Sequence, residues 1–284
     1  MTALAPRLPG APRCTIFPTT NVWNRDISYL PVAAHSALLI ASIGLSRPLH
    51  PDFGSNPAYG IPYTVVGAAQ KRSIVRFTYA AESDLGPYPI PAHPRLETGS
   101  DHHLLLVDRD ACRLYELYAL AHAMTGWTAG SGAIWNLSSN ALRPDGWTSA
   151  DAAGLPILPG LVRYDEVAAG FIAHALRVTV PRTRPAHIYP ARHDAGTSDD
   201  LSLPPMGLRL RLKASVDLRG FSHLDRVILT CLQRYGAIVA DNGSPWFVSG
   251  TSDPHWNDED LHRLDRITGA DFEVVNTDTL RNKT

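Results

Sequence analysis

Apolar and polar residues along this chain rarely hold one period for long. The clearest alternation is LRLRLKAS, residues 208–215, where Leu208, Leu210 and Leu212 take every second place between Arg209, Arg211 and Lys213. That pattern predicts a half-buried strand, leucines on the core and cations on a solvated face. Further strands are expected at 61–67, 73–80, 131–138, 175–181, 237–243 and 246–251, from β-branched and aromatic runs bounded by turn residues. The stretch DHHLLLVDRDACRLYELY, residues 101–118, reads as two strands joined by a turn. With the turn centred on Arg109 and Asp110, opposed positions sum to 219, so His103 faces Glu116. Opposed Cβ atoms in such a pair are roughly 5 Å apart, within reach for an imidazole to bond a carboxylate. A polar pair on a solvated face is the competing reading.

Helical periodicity is confined to few places. SHLDRVILTCLQRYG has Ser222 as N-cap, Asp225 three residues on, apolar residues at helical spacing and Gly236 as the stop. Shorter helices are expected at 148–155, 165–175 and 257–267. The 23 prolines and 21 glycines interrupt most other candidates. The sum is a mainly β chain, expected as a concanavalin-like β-sandwich or jelly roll with helices in the connections, with α+β as the alternative. Residues 1–13 read as a flexible N-terminal segment and 14–284 as a single β-rich domain.

Composition narrows the partners. A formal net charge of −1 over 284 residues, with both signs dispersed, gives no basic footprint for nucleic acid. The apolar stretch AAHSALLIASIGL is too short to span a bilayer, and the first residues lack the apolar core of a secretory signal. Cys14, Cys112 and Cys231 have no metal-like spacing. Cys14 and Cys112 are either paired across the hairpin, which would suit an oxidising compartment, or two buried thiols.

No P-loop, nucleophile elbow, zinc-binding helix or dinucleotide fingerprint is present. What remains is carboxylates, histidines and aromatics on loops and strand ends. YAAESDLGPYPIPAHP places Glu82 and Asp84 before four prolines, with Tyr88 expected exposed on a stiff loop. Carboxylates there suit sugar hydroxyls or a cation, and equally a plain turn. Asp241 ends an apolar strand at Asp241-Asn242-Gly243, either as a hairpin turn residue or as a site acid beside Trp246, whose ring suits a sugar face. Asp151 follows Trp147, Asp165 and Glu166 suit a helix N-terminus, and His174 reads as a buried histidine. Arg192 and His193 lie on a loop suited to an acidic group. A metal site from His102, His103, His193 and Glu116 has no spacing to fix it.

CTIFPTTNVWNRDIS, YGIPYTVV, ESDLGPYPIP, HLLLVDRDACRLYELY, the long run from Gly126 to Arg184 and RYGAIVADNGSPWFVSG together resemble a group of bacterial proteins, typically secreted, that carry no assigned activity. The resemblance covers nearly the whole chain from Cys14. It implies one module and extracellular use, and it brings no catalytic residues with it.

The leading expectation is therefore a carbohydrate-active enzyme without a cofactor, cleaving a polysaccharide or oligosaccharide by hydrolysis, or by β-elimination if the substrate is a uronan. Glu116, His103, Asp241 and Asp151 are the expected catalytic residues. Glu82, Asp84, Tyr88, Trp135, Arg192, His193 and Trp246 are the expected substrate contacts. For elimination, His103 or Tyr115 would take the proton and Arg192 would neutralise the uronate. The alternatives are a non-catalytic glycan-binding or surface module using Trp135, Trp246 and Tyr88, and a metal-dependent hydrolase using the histidines.

Overall fold

The run Leu104-Leu105-Leu106-Val107 does not alternate because both of its faces are covered, as expected of a strand inside a layered fold. The computed structural model describes residues 5–281. Leu104–Asp108 is an inner strand of a four-stranded sheet ordered Ser131–Asn136, Arg113–Tyr118, Leu104–Asp108, Tyr63–Val66. One face, with Leu105, Val107 and Leu114, joins the main core. The other, with Leu104, Leu106 and Leu117, packs on a second apolar cluster shared with Val75, Tyr88 and Ala129. That cluster includes residues of a small three-stranded sheet ordered Val75–Phe77, Gly126–Ala129, Ala121–Ala123.

Across the main core lies a six-stranded sheet ordered Phe272–Val274, Arg209–Leu212, Ala237–Asn242, Leu176–Val180, Phe247–Ser249, His50–Asp52. The chain is mainly β with short helices, as its composition of turns and strands leads one to expect. Tyr63–Val66 runs parallel to Leu104–Asp108, Leu176–Val180 to Ala237–Asn242, and Phe247–Ser249 to His50–Asp52. These parallel ladders lie outside the antiparallel pairing of a jelly roll.

The helix His223–Arg234 forms as its sequence predicts: the Ser222 side chain accepts from the Asp225 N–H at 3.0 Å, and Gly236 at φ +67° ends the turn that follows. Of the shorter helices, 148–155 is an irregular loop, 165–175 contracts to Tyr164–Ala168, and 257–267 becomes Asp258–Leu261 followed by a tighter turn. Ser36–Ile43, read only as an apolar stretch, is helical.

One expectation about exposure is overturned. Arg209 and Arg211 are buried at 2% and 8% exposure, because the irregular segment 22–30 covers the face that alternation assigns to solvent. Arg209 donates to the carbonyls of Tyr235 and Val22, and Arg211 to those of Ile27 and Leu30 as well as to Glu273. The arginines thus supply donors to a backbone that has no ladder of its own. The N-terminal segment is also anchored where it is described. Arg7–Leu8 pairs with Ala11–Thr15, Leu8 and Ala11 are buried, and Cys14 is disulfide-bonded to Cys112. Residues 1–4 lie outside the described residues. No helix among the described residues is long and apolar enough to cross a membrane.

Candidate functional site

The hairpin at 104–118 sets the first question, whether His103 meets Glu116. It does not. Leu105 pairs with Glu116 and Val107 with Leu114, so opposed positions sum to 221 and a four-residue loop, 109–112, closes the hairpin. The shift is by two residues, which keeps the faces but moves the partners. Glu116 is 0% exposed. It accepts N–H bonds from Ile157 at 3.0 Å, from Leu158 at 2.9 Å and from Trp135 Nε1 at 3.2 Å. Burial pushes its pKa up to about 7, with the Leu158 and Ile157 N–H groups pulling the other way. Glu116 is an enclosed core carboxyl that ties the hairpin to the turn at 157–160.

His103 is buried as well, with its ring near that of Tyr118. Nδ1 meets Glu97 Oε2 at 2.6 Å and Nε2 meets the Ala150 carbonyl at 2.9 Å. Burial alone would lower the His103 pKa, but the Glu97 bond and charge outweigh it and the pKa is raised. The imidazolium then donates from both nitrogens and pins the loop at Ala150. His103 is a brace for the next residue, Asp151.

Asp151 is fully buried and faces Arg177 through two bonds, Nε to Oδ2 at 2.7 Å and Nη2 to Oδ1 at 2.8 Å. The loop that carries it is fastened from several sides. Ser149 Oγ accepts the Asp151 N–H at 2.9 Å, and the Ala153 N–H donates to the Ala240 carbonyl at 2.9 Å. Arg177 also donates from Nη1 to Ser249 Oγ at 2.7 Å and from Nη2 to Asp241 Oδ2 at 3.3 Å.

Register explains why Asp241 reaches this group. Arg177 pairs with Ile238 and Val178 with Val239, but Thr179 pairs with Asp241, because a bulge inserts Ala240. A regular ladder would place Asp241 beside Val180, on the opposite face from Arg177. The extra residue turns Asp241 onto the face that holds Arg177, the re-aiming role expected of a bulge. Asp241 is therefore a strand residue. The Asn-Gly step after it makes no hairpin, since Leu176–Val180 lies between Ala237–Asn242 and Phe247–Ser249.

Asp241 keeps 24% of its side chain exposed, whereas Asp151 keeps none. Burial, the Asp151 charge and a hydrogen bond with the Asp151 carboxyl push the Asp241 pKa up to about 7, while Arg177 opposes the shift. A like charge close by and loss of solvent both disfavour ionisation of the Asp241 carboxyl.

The pair lies at a cleft of about 460 Å³ that Glu82, Asp101, Tyr118 and His193 also line. His193 donates from Nδ1 to the Ala152 carbonyl at 2.7 Å, and its Nε2 is 3.8 Å from Glu82 Oε2. Asp241, Glu82 and His193 thus meet at one opening, with the Asp151 carboxyl enclosed next to Asp241.

The other expected contacts lie elsewhere. Tyr88 is 0% exposed, its hydroxyl donating to the Asp84 carbonyl, where an exposed ring is expected. Trp135 is buried against Glu116, and Trp246 is stacked on Phe272 with Nε1 donating to the Gly44 carbonyl at 2.9 Å. Asp84 accepts from Arg143 and from the Ile134 N–H. Arg192 donates to the Arg143 carbonyl and pairs with Asp145, away from the cleft. Asp165 pairs with Arg163, and Glu166 with Arg163 and His174. Among the described residues no three His, Cys, Asp or Glu side chains group as metal ligands.

Sequence reading missed Arg177, Ser249, Tyr118 and Asp101. Arg177 did carry a signal: an arginine inside the apolar run ALRVTVP needs a buried acid. The others carried none. Comparison with protein families, with curated proteins and with solved structures finds no match for this chain.

Proposed function

We propose that the chain is a glycoside hydrolase acting on a polysaccharide, with Asp241 as general acid and Glu82 as the second carboxylate. The observation that carries this reading is the Asp241 carboxyl, raised to about 7 and open to the cleft, beside an Asp151 carboxylate held by Arg177. A catalytic acid works best with a pKa near the operating pH, and a like-charged neighbour plus burial is the usual way a carboxyl is placed there. Hydrolysis needs two carboxyls at one bond. Asp241 would protonate the glycosidic oxygen as the bond to the sugar carbon breaks, while Glu82, with His193 beside it, would take the proton of the attacking water. Asp151 and Arg177 do not touch substrate in this scheme; burial and the Asp151 charge keep the proton on Asp241, against the pull of Arg177, which holds Asp151 in place.

Hydrolysis is favoured over elimination because the residues expected for elimination are engaged elsewhere. Both His103 nitrogens are bonded, the Tyr115 hydroxyl accepts from Arg72 at 2.6 Å, and Arg192 turns from the cleft. The binding-module reading loses its platform, since Trp135, Trp246 and Tyr88 are buried. We read the stacked sheets as a β-sandwich. The Cys14–Cys112 bond and the resemblance to secreted bacterial proteins support an extracellular setting.

The test is a polysaccharide panel read for reducing ends and for unsaturated-uronate absorbance in parallel. Reducing ends without the uronate signal are expected, and Asp241→Asn and Glu82→Gln each abolish them while the thermal melt is retained. Full activity in both variants, or uronate absorbance with wild type, would refute the assignment.

A further inference from the structure

We infer that the saccharide bound in this cleft carries free amines, making it a cationic amino-sugar polymer; this rests on the hydrolase reading and names its substrate class. Acids line the cleft, Glu82, Asp101, Asp151 and Asp241, and the lining holds no lysine or arginine. His193 is the single basic side chain there, and its Nδ1 is taken by the Ala152 carbonyl.

The nearby guanidinium groups are all engaged. Arg177 bonds Asp151, Asp241 and Ser249; Arg143 bonds Asp84 and the carbonyls of Glu82 and Thr148; Arg192 bonds Asp145 and the Arg143 carbonyl. None is left to receive a substrate carboxylate. A uronate would instead bring a third charge of the same sign to Asp101 and Glu82 at the mouth of the cleft, with no cation there to offset it.

The hydrogen-bonding groups lead to the same substrate by a separate route. Asp101 receives only the Ser100 hydroxyl, at 3.3 Å. Glu82 Oε2 receives only a long bond from the Thr148 N–H, at 3.3 Å. The unmet capacity at this opening is acceptor capacity. An ammonium offers three donors and no acceptor, so it answers both the charge and the missing donors. N-acetylation removes the charge, leaves one donor and adds an acceptor, and is disfavoured on each count.

The experiment is calorimetric titration of the full chain with hexamers of glucosamine, N-acetylglucosamine and galacturonic acid, at low and high salt, followed by a cleavage assay on each. Glucosamine hexamer is expected to bind about fivefold more tightly than its N-acetylated twin, the scale of one partly exposed ion pair. Galacturonate should bind least. Salt and the rim variant Asp101→Asn, checked for an unchanged melt, should both narrow the gap. Binding of the N-acetylated or galacturonate hexamer as tight as the glucosamine hexamer overturns the amine proposal, and cleavage of that hexamer shows the hydrolase reading surviving it. Absence of binding and cleavage with all three, where a neutral polysaccharide is cleaved, also overturns it alone; silence on every glycan removes both.

Discussion

Glu116 in the hairpin core and Asp241 at the cleft are two acids shifted in the same direction in opposite surroundings. Both are pushed up to about 7, in each case chiefly by burial. Glu116 is sealed, with its oxygens occupied by the N–H groups of Ile157, Leu158 and Trp135. Asp241 is left open on one side, and its neighbours are an acid and an arginine. A raised pKa marks strained electrostatics, and access decides whether that strain is available to a substrate. The loop that holds Asp151 connects the two regions: His103 braces it at Ala150, and the charge of Asp151 contributes to raising both acids.

The comparison is broken most severely by removing the proton from Asp241. Asp241→Asn should lower turnover by about 10²- to 10⁴-fold, the usual contribution of a general acid, with little change in the melt. Arg177→Met should cost about 3–5 kcal/mol of stability in chemical denaturation, because it leaves Asp151 buried without its partner. Glu116→Gln should cost about 1–3 kcal/mol, since the amide meets N–H donors with an N–H group of its own, while activity per folded molecule stays near wild type. Equal loss of activity in Glu116→Gln and Asp241→Asn would erase the distinction between the two regions.

The same contrast extends to the pH dependence. Both acids hold their proton more tightly folded than unfolded, where they titrate near 4, so their contribution is fully present below that pH and is lost as pH rises through about 7. The fall in stability between pH 5 and 8 should be shallower in Glu116→Gln than in wild type. The melts of the two proteins across that range decide it.

Much of the local structure could be read from the chain. The 223–234 helix was legible from its Ser222 cap and apolar spacing, and Ala237–Asn242 from its β-branched run. What escaped depends on distant residues. Arg209 and Arg211 alternate with leucines as a solvated face would, and only the 22–30 segment, nearly two hundred residues upstream, turns them inward. The hairpin register rested on a loop length that four polar or small residues do not define, so His103 acquired Glu97 and Ala150 as partners in place of Glu116. Asp241 and Asp151 stood out as acids next to apolar stretches. Their meeting needed a bulge at Ala240, which has no local signature, and an arginine on a third segment, whose place in an apolar run calls for a buried acid without saying which.

The most direct test of the account is the titration of Asp241 itself, by carbon NMR of protein labelled at aspartate carboxyls, with Asp241→Asn to assign the resonance. The account predicts a midpoint near 7, moving down toward the ordinary carboxyl range in Asp151→Asn. A wild-type midpoint near 4, unmoved by Asp151→Asn, would contradict it.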